Sequence, residues 1–317
     1  MSLNMHNLLT HVQHPKSPKG YQAEEDSDAI RVSEYWGKKT NQIQSPKISF
    51  EFFPPRSDTA KKSLKETHLK LSSINPEHYS VTFGALGTSQ DATFDTIVNL
   101  SKDTEIPITP HLTCVDTNKK QVTELIDKYI SHGVNQVMVL KGDTPSKPLH
   151  KGDFEYANEM VKFIKEHYDN IDILVAAYPE KHPHSMNIRT DIDFFVDKVN
   201  SGATQAITQY FYNIDAYFHY IDELQKRNID IPITPGIMPI TNYEQLINFS
   251  ETCGAEIPAW ILNRLKLYRH DPESLKEFGQ DVVSEMCLNL KENGVNSFHF
   301  YSMNKAEPVL SISKILI

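Results

Sequence analysis

The sequence lacks the segments that would place a protein in a membrane or on nucleic acid. No apolar run approaches the roughly 20 residues of a membrane-spanning helix, and the N-terminus lacks the apolar stretch of a secretory signal. Basic residues are in deficit, since 32 Lys and Arg stand against 41 Asp and Glu and give a net charge of -9. We therefore expect no membrane partner and no nucleic-acid partner, because nucleic-acid binding needs a basic surface.

Cysteine is scarce as well. The three cysteines, Cys114, Cys253 and Cys287, are far apart and form no CxxC pair. This spacing predicts neither a disulfide framework nor a zinc site, and the chain has no HExxH-like pair of ligands on one element. We expect no bound metal and a reducing, cytoplasmic location.

The usual phosphate-binding and nucleophile motifs are missing too. No GxGxxG follows the first predicted strand, no GxxxxGK[ST] occurs, and no GxSxG elbow is present. These absences argue against a doubly wound dinucleotide-binding sheet and against a serine hydrolase.

From Lys47 onward, short β-rich runs alternate with helical periodicity. Eight strands that each precede a helix predict an α/β protein with a (β/α)8 TIM barrel. Gly254 to Met286 holds more helix than one repeat needs, so we expect extra helices there. Residues 1–45 are polar and predict an N-terminal arm, and residues 46–317 predict the catalytic barrel. The predicted strands are Lys47–Phe53, His78–Phe83, Pro107–Thr113, Gln136–Lys141, Ile171–Tyr178, Thr204–Phe211, Ile231–Ile237 and Val295–Tyr301.

The first strand places one carboxylate, Glu51, in an aromatic and apolar run from Ile48 to Arg56. Burial of an ionised carboxylate removes hydration, so its pKa rises. A carboxyl that keeps its proton near neutral pH is suited to general acid catalysis. The alternative is that Glu51 points outward from a half-buried strand.

Polar residues recur where the predicted strands end, which is the catalytic face of such barrels. They are Glu51, Thr82, His111, Lys141-Gly142-Asp143, Tyr178 with Glu180 and His182, Gln209 and Tyr301. Each could be structural when taken singly, but their convergence on one rim favours a site built around a large organic cofactor. Lys141 also leaves open a Schiff-base aldolase.

Several segments together resemble methylenetetrahydrofolate reductases, in the same order along roughly residues 47 to 310. They are Ser49-Phe50-Glu51-Phe52-Phe53-Pro54-Pro55, Val81-Thr82-Phe83-Gly84-Ala85, Pro110-His111-Leu112-Thr113-Cys114, Gly142-Asp143, Ala176-Ala177-Tyr178-Pro179-Glu180, Ala206-Ile207-Thr208-Gln209, Pro235-Gly236-Ile237-Met238-Pro239 and Phe298-His299-Phe300-Tyr301.

The resemblance implies a barrel that holds FAD and reduces 5,10-methylenetetrahydrofolate to 5-methyltetrahydrofolate with NAD(P)H. Such a cytoplasmic oxidoreductase serves one-carbon metabolism and methionine synthesis, and the resemblance implies a homo-oligomer. Because the chain ends soon after the barrel, we expect a bacterial-type member without the C-terminal regulatory domain.

The resemblance also implies roles for particular residues. Glu51 matches the general acid that protonates a folate nitrogen, and Asp143 matches a carboxylate that tunes the flavin. The cofactor contacts it implies are Thr82, His111, Lys141, Gly142, Asp143, Ala157, Ala176, Tyr178, His182, Asp191 and Lys198. The substrate contacts it implies are Glu51, Asp143, Gln209, Phe249, Tyr301 and Lys305.

The sequence departs from the family pattern at three places. Lys141 and Lys305 stand where arginine is common, and a loop that often reads Arg-Asp-Arg-Thr is here Gln90-Asp91-Ala92-Thr93. Lysine lacks the bidentate geometry of arginine, so we expect weakened FAD affinity. A flavin-free reductase of the same fold, a Lys141 aldolase and a non-catalytic folate-binding barrel stay open, as does the choice among NADH, NADPH and a protein electron donor.

Overall fold

The computed structural model describes residues 45–83, 90–142 and 152–317. Gln42–Ile317 forms one compact unit. Residues 1–44 of the predicted N-terminal arm and Asp143 lie outside the described residues.

The described residues contain nine parallel strand segments, in the spatial order β7-β6-β5-β4-β3-β2-β1-β9-β8. Pro235 separates β7 from β8, so the two segments are parts of one strand. Because β7 pairs with β6 and β8 pairs with β9, this split strand closes the ring. The predicted (β/α)8 barrel is therefore confirmed. The segments are β1 (Lys47–Phe52), β2 (His78–Val81), β3 (Ile108–Thr113), β4 (Gln136–Leu140), β5 (Asp172–Ala177), β6 (Gln205–Thr208), β7 (Ile233–Thr234), β8 (Gly236–Ile237) and β9 (Ser297–Tyr301).

Helices follow the strands around the outside of the ring. Within the described ranges they are α1 (Asp58–Leu71), α2 (Gln90–Ser101), α3 (Lys119–Ile130), α4 (Ala157–His167), α5 (Ile188–Asn200), α6 (Ile214–Gln225), α7 (Tyr243–Cys253), α8 (Ala259–Tyr268), α9 (Pro272–Glu292) and α10 (Val309–Leu316). Three of them, α7 to α9, lie between β8 and β9, which confirms the predicted extra helix. Judged on length and hydropathy, no helix in these ranges could span a bilayer.

Local sequence signals explain where many helices begin. Short polar side chains cap helix N-termini because they accept the backbone N–H groups of the first turn. Such caps in the described chain are Ser57, Asn118, Asn187, Asn213, Asn242 and Asp271. One prediction is wrong here: Gln90–Thr93 is the first turn of α2 and not a loop.

Alternation along the strands gives the barrel two different faces. Phe50 and Phe52 are fully buried and contact Tyr79, which in turn contacts His68 of α1, so this face meets the helices. Residues of the opposite parity in β1 point into the barrel, as expected for a strand. Glu51 is one of them. Part of the barrel interior is therefore polar.

Candidate active site

Glu51 lies at the end of β1, in register with Ser80 of β2 and Tyr301 of β9. Its side chain is 20% exposed and faces two imidazoles. Its Oε2 lies 3.6 Å from His111 Nε2 and 3.9 Å from His299 Nε2. The alternative that Glu51 points outward to solvent is therefore wrong.

Burial controls the protonation of this cluster. Loss of hydration raises the pKa of Glu51, and His111 opposes that rise as the smaller effect. Burial also lowers the pKa of His111 to about 4 and that of His299 to about 3. Because both imidazoles are neutral at physiological pH, they do not force Glu51 to ionise. The carboxyl is thus able to hold a proton for transfer.

His299 is held in place by hydroxyl groups and by a second ring. The Oγ of Ser49 lies 2.7 Å from Nδ1, and the Oγ of Ser80 lies 3.4 Å from Nε2. The ring of His78 stacks on it at 5.8 Å between centroids. The sequence motifs do not by themselves identify His299 or His78 as site residues. A signal for His299 is the alternation of Phe298-His299-Phe300-Tyr301, which sends His299 and Tyr301 to one face.

Tyr301 joins the acid to the end of β6. Its hydroxyl donates to the carbonyl of Thr208 at 2.7 Å, and its ring meets His299 edge-on at 5.6 Å. Gln209 comes next after Thr208, and its backbone N–H donates to Ala177 O at 2.8 Å. The structure therefore brings Glu51, Tyr301 and Gln209 to the same part of the rim.

A second cluster follows β5. The Tyr178 ring meets His182 edge-on at 4.7 Å. Asp191 of α5 closes this loop, since it accepts the His182 N–H at 3.1 Å and the Ser185 hydroxyl at 2.6 Å. The predicted cofactor contacts of this loop therefore lie together.

Lys198 carries a desolvated positive charge beside this loop. Its ammonium donates to Ala176 O and lies 5.9 Å from the centre of the Tyr178 ring. Burial lowers the pKa of Lys198 to about 8, and the charge of Asp191 opposes this as a smaller effect that raises the pKa. Lys198 and Asp191 are seven residues apart on α5, so they share one face of the helix.

The hydroxyl of Thr82 is unpaired within the part of the chain that the structure describes. Its Oγ1 is buried there and forms no hydrogen bond. Its carbonyl is tied to α2 by the Thr93 hydroxyl at 3.0 Å. A buried unpaired hydroxyl and a desolvated ammonium fit a polar cofactor such as FAD, because buried polar groups normally have partners.

The remaining predicted residues are less enclosed. Gly142 has φ +85, and a Cβ there would lie 3.0 Å from Cβ of Thr113. Ala157 begins α4. Phe249 is a partly buried residue of α7, and Lys305 is exposed beyond β9.

Lys141 is exposed as well, with its ammonium 4.8 Å from the centre of the Tyr156 ring. A lysine that forms a Schiff base is usually desolvated or placed beside another cation. The exposure of Lys141 therefore argues against the aldolase alternative.

This arrangement defines a class of protein: a (β/α)8 barrel enzyme with a protonatable carboxyl and further polar side chains at its catalytic face. The family model for methylenetetrahydrofolate reductase matches residues 38–316. The chain belongs to the methylenetetrahydrofolate reductase family, a family of oxidoreductases.

Individual relatives agree with the family match. The chain is 39% identical over 265 residues to a 5,10-methylenetetrahydrofolate reductase of Buchnera aphidicola from Schizaphis graminum, covering 83% of this chain and 89% of that protein. It is 35% identical over 269 residues to the enzyme of that name from Escherichia coli K12, covering 85% and 90%.

A solved structure is similar in fold. It is an uncharacterized protein from Clostridium thermocellum described as binding two copies of 5-methyl-5,6,7,8-tetrahydrofolic acid. The TM-score is 0.58 at 17% identity, with 86% of this chain and 93% of that chain covered.

Proposed function

We propose that this protein reduces 5,10-methylenetetrahydrofolate to 5-methyltetrahydrofolate, with FAD as its cofactor and NADH or NADPH as the reductant. The observation that carries the proposal is the protonatable Glu51 carboxyl between two neutral imidazoles. Family membership supports it, since the curated relatives bear the name of this reaction.

Glu51 acts as the general acid. Its proton goes to a nitrogen of the bridged folate ring, and the ring opens to an electrophilic iminium. His111 and His299 stay neutral, so the proton remains on Glu51 until the substrate takes it. The strands behind the rim exclude water and keep the pKa of the acid raised.

FAD supplies the hydride when it is bound. Thr82, Tyr178, His182 and Lys198 are the described residues that would hold it, since the Thr82 hydroxyl is buried without a partner and the Lys198 ammonium is desolvated. Further contacts assigned by resemblance are His111, Lys141, Gly142, Ala157, Ala176 and Asp191.

The folate side of the site comprises Gln209 and Tyr301, with Phe249 and Lys305 as further predicted contacts. Gln209 and Tyr301 lie beside the acid through Thr208. Asp143, predicted to contact both folate and flavin, lies outside the described residues.

An absorption spectrum and a coupled assay test the proposal. Purified protein, or protein given FAD, should show a flavin band near about 450 nm, bleach with NADH or NADPH, and recover its colour on addition of 5,10-methylenetetrahydrofolate. Folate reduction by flavin-free protein without added FAD would favour the flavin-free reductase. Folate binding without turnover under any of these conditions would favour the non-catalytic barrel.

Two wider assignments belong to the same proposal. A cytoplasmic location is supported by Cys114 and Cys287, which are buried thiols. Assembly into a homo-oligomer is implied by the resemblance alone, and sedimentation of the purified protein measures it.

A further inference from the structure

Glu180 connects two loops of the rim that carry different parts of the site. It follows Tyr178 in the β5–α5 loop. Its Oε2 accepts the backbone N–H of Glu256, in the connection between α7 and α8, at 2.8 Å. The bond therefore joins the loop of the predicted cofactor contacts to the end of the helix that carries Phe249.

The same two loops touch at a second point. Gly254 ends α7 with φ +72, and a Cβ there would lie 2.9 Å from Cγ of Pro183. A different contact holds the middle of α7, where the Ser250 and Tyr210 hydroxyl oxygens lie at hydrogen-bond distance, 3.1 Å apart. The Glu180 bond and the close approach of Gly254 to Pro183 therefore both join the C-terminal end of α7 to the β5–α5 loop.

The backbone beside Glu180 is strained. Lys181 has a backbone φ of 102, which residues other than glycine rarely adopt,. Its ammonium donates to Ser185 O at 2.8 Å, which holds the loop closed on itself. Such strain persists where the surroundings over-determine it, often beside a ligand.

Glu180 is also an unfavourable residue for stability. Its Oε1 is buried and has no hydrogen-bond partner among the described residues. Burial raises the pKa of Glu180 to about 7, with the Glu256 carboxylate as a further raising influence. Since the folded-state pKa exceeds the ordinary 4.5, the folded form loses stability as pH rises from about 4.5 to about 7,. A residue that lowers stability in this way often serves function.

We propose that Glu180 is a positioning residue that holds the Phe249 helix against the β5–α5 loop, so that the folate and cofactor sides of the cleft keep a fixed spacing. This inference rests on the proposed function, because Phe249 and Tyr178 receive their roles there. A small pocket between the two loops is lined by Tyr178, Glu180, Gln209, Tyr210 and Cys253.

The strength of the hydrogen bond between Glu180 and the Glu256 N–H depends on pH. An ionised Glu180 makes a charge-assisted bond, and a protonated Glu180 makes a weaker bond. The Glu256 carboxyl and the Tyr210 hydroxyl interact electrostatically with Glu180, and Lys181 and Cys253 line the same pocket. Burial raises the pKa of Tyr210 to about 12, so that hydroxyl stays neutral. Folate affinity should therefore fall as pH drops through about 7.

Glu180→Gln tests the proposal because glutamine imitates the protonated side chain. The equilibrium Kd for 5-methyltetrahydrofolate should be about fivefold weaker in the variant at pH 8, the difference between a charged and a neutral bond. The two proteins should converge near pH 6. Without any ligand, the variant should melt at a higher temperature at pH 8. Glu251→Gln, an exposed change on α7, is the matched control and should alter none of these values.

The folate-binding measurements distinguish failure of the positioning role from failure of the proposed function. If the parent protein binds the folate and Glu180→Gln follows the same Kd profile against pH, the positioning role is overturned while the proposed function stands. If the parent protein binds no folate at any pH, the proposed function fails and the inference fails with it.

Discussion

Glu51 takes its chemistry from residues on neighbouring strands. Its own strand supplies an apolar setting, β3 brings His111, and β9 brings His299 and Tyr301. Each neighbour is neutral at physiological pH because burial lowers the imidazole pKa values and raises that of Tyr301. The carboxyl is therefore the group in this cluster that is suited to give up a proton.

Glu51→Gln should abolish most folate reduction and leave the fold and bound flavin intact. The amide has the shape of the acid but cannot donate a proton of useful acidity, so we expect a loss of at least about 10²-fold in folate turnover. Flavin reduction by nicotinamide should persist. Stopped-flow measurement of the two half-reactions separates them, with Glu66→Gln on the exposed face of α1 as a control. Normal turnover by Glu51→Gln would remove the acid from the mechanism.

At the scale of elements, the split strand β7–β8 is what places Tyr301. Gly236 begins β8 and donates its N–H to the Thr208 hydroxyl at 2.9 Å. A Cβ on Gly236 would lie 2.1 Å from Thr208 O and 2.7 Å from the Tyr301 ring. The absence of a side chain therefore allows the Tyr301 hydroxyl to reach Thr208.

Gly236→Ala should disturb both stability and folate turnover. The added methyl overlaps backbone and ring, and overpacking of this kind costs roughly 1–3 kcal/mol. Gly133→Ala is a suitable control, because no atom lies within 4 Å of its Cβ position and only its φ of +79 opposes the change. We expect the control to lose stability in urea unfolding but to keep its kcat. Equal kcat for both variants would show that Tyr301 does not depend on Gly236.

At the scale of the whole molecule, buried histidines should set the stability at acid pH. Burial lowers the pKa values of His78, His111 and His299 to about 3, 4 and 3, from an ordinary 6.5. Below about pH 6.5 the three histidines bind protons in the unfolded chain but stay unprotonated in the folded one. The folded state therefore loses stability relative to the unfolded state as pH falls. Glu51 and Glu180 act in the opposite direction, because their folded-state pKa values are raised.

His78→Phe should make the protein less sensitive to acid. Phenylalanine keeps the ring that stacks on His299 and removes the group that the folded state must leave unprotonated. Relative to the parent, the variant should gain about 1.4 kcal/mol per pH unit between roughly pH 6 and 4. Urea unfolding at several pH values measures this difference. His270→Phe, at an exposed position, should leave the slope unchanged, and an unchanged slope in His78→Phe would contradict the assignment.

Cofactor binding should also raise the melting temperature of the protein. A ligand that binds only the native state adds about 2.7 kcal/mol at 100 times its Kd, so added FAD should raise the melting temperature of cofactor-free protein. Lys141→Arg should enlarge the shift, since guanidinium pairs better with phosphate than ammonium does. Lys128→Arg, another lysine placed over an aromatic ring, is the control. A melting temperature indifferent to FAD would move the proposal to the flavin-free reductase.

The sequence predicts local structure well in segments where the apolar residues follow a single repeat, either strand alternation or helical spacing. The eight predicted strands and the extra helices before the last one are all observed, because alternation and helical spacing follow directly from backbone geometry. The strand predicted over Ile231–Ile237 is interrupted at Pro235, since proline has no N–H for the ladder,. The sequence pattern places Gln90–Thr93 in a loop, but the segment is helical. The pattern contains no clear signal for the start of α2.

The sequence by itself determined the barrel, the family and the apolar setting of Glu51. Those features reside in short segments whose order and periodicity can be read one at a time. The tertiary structure alone decided that His111 and His299 face Glu51, that Lys141 is exposed while Lys198 is desolvated, and that Glu180 bonds to Glu256. Contacts of this kind join residues tens to hundreds of positions apart, and they depend on strand register and side-chain direction, which only the closed barrel fixes.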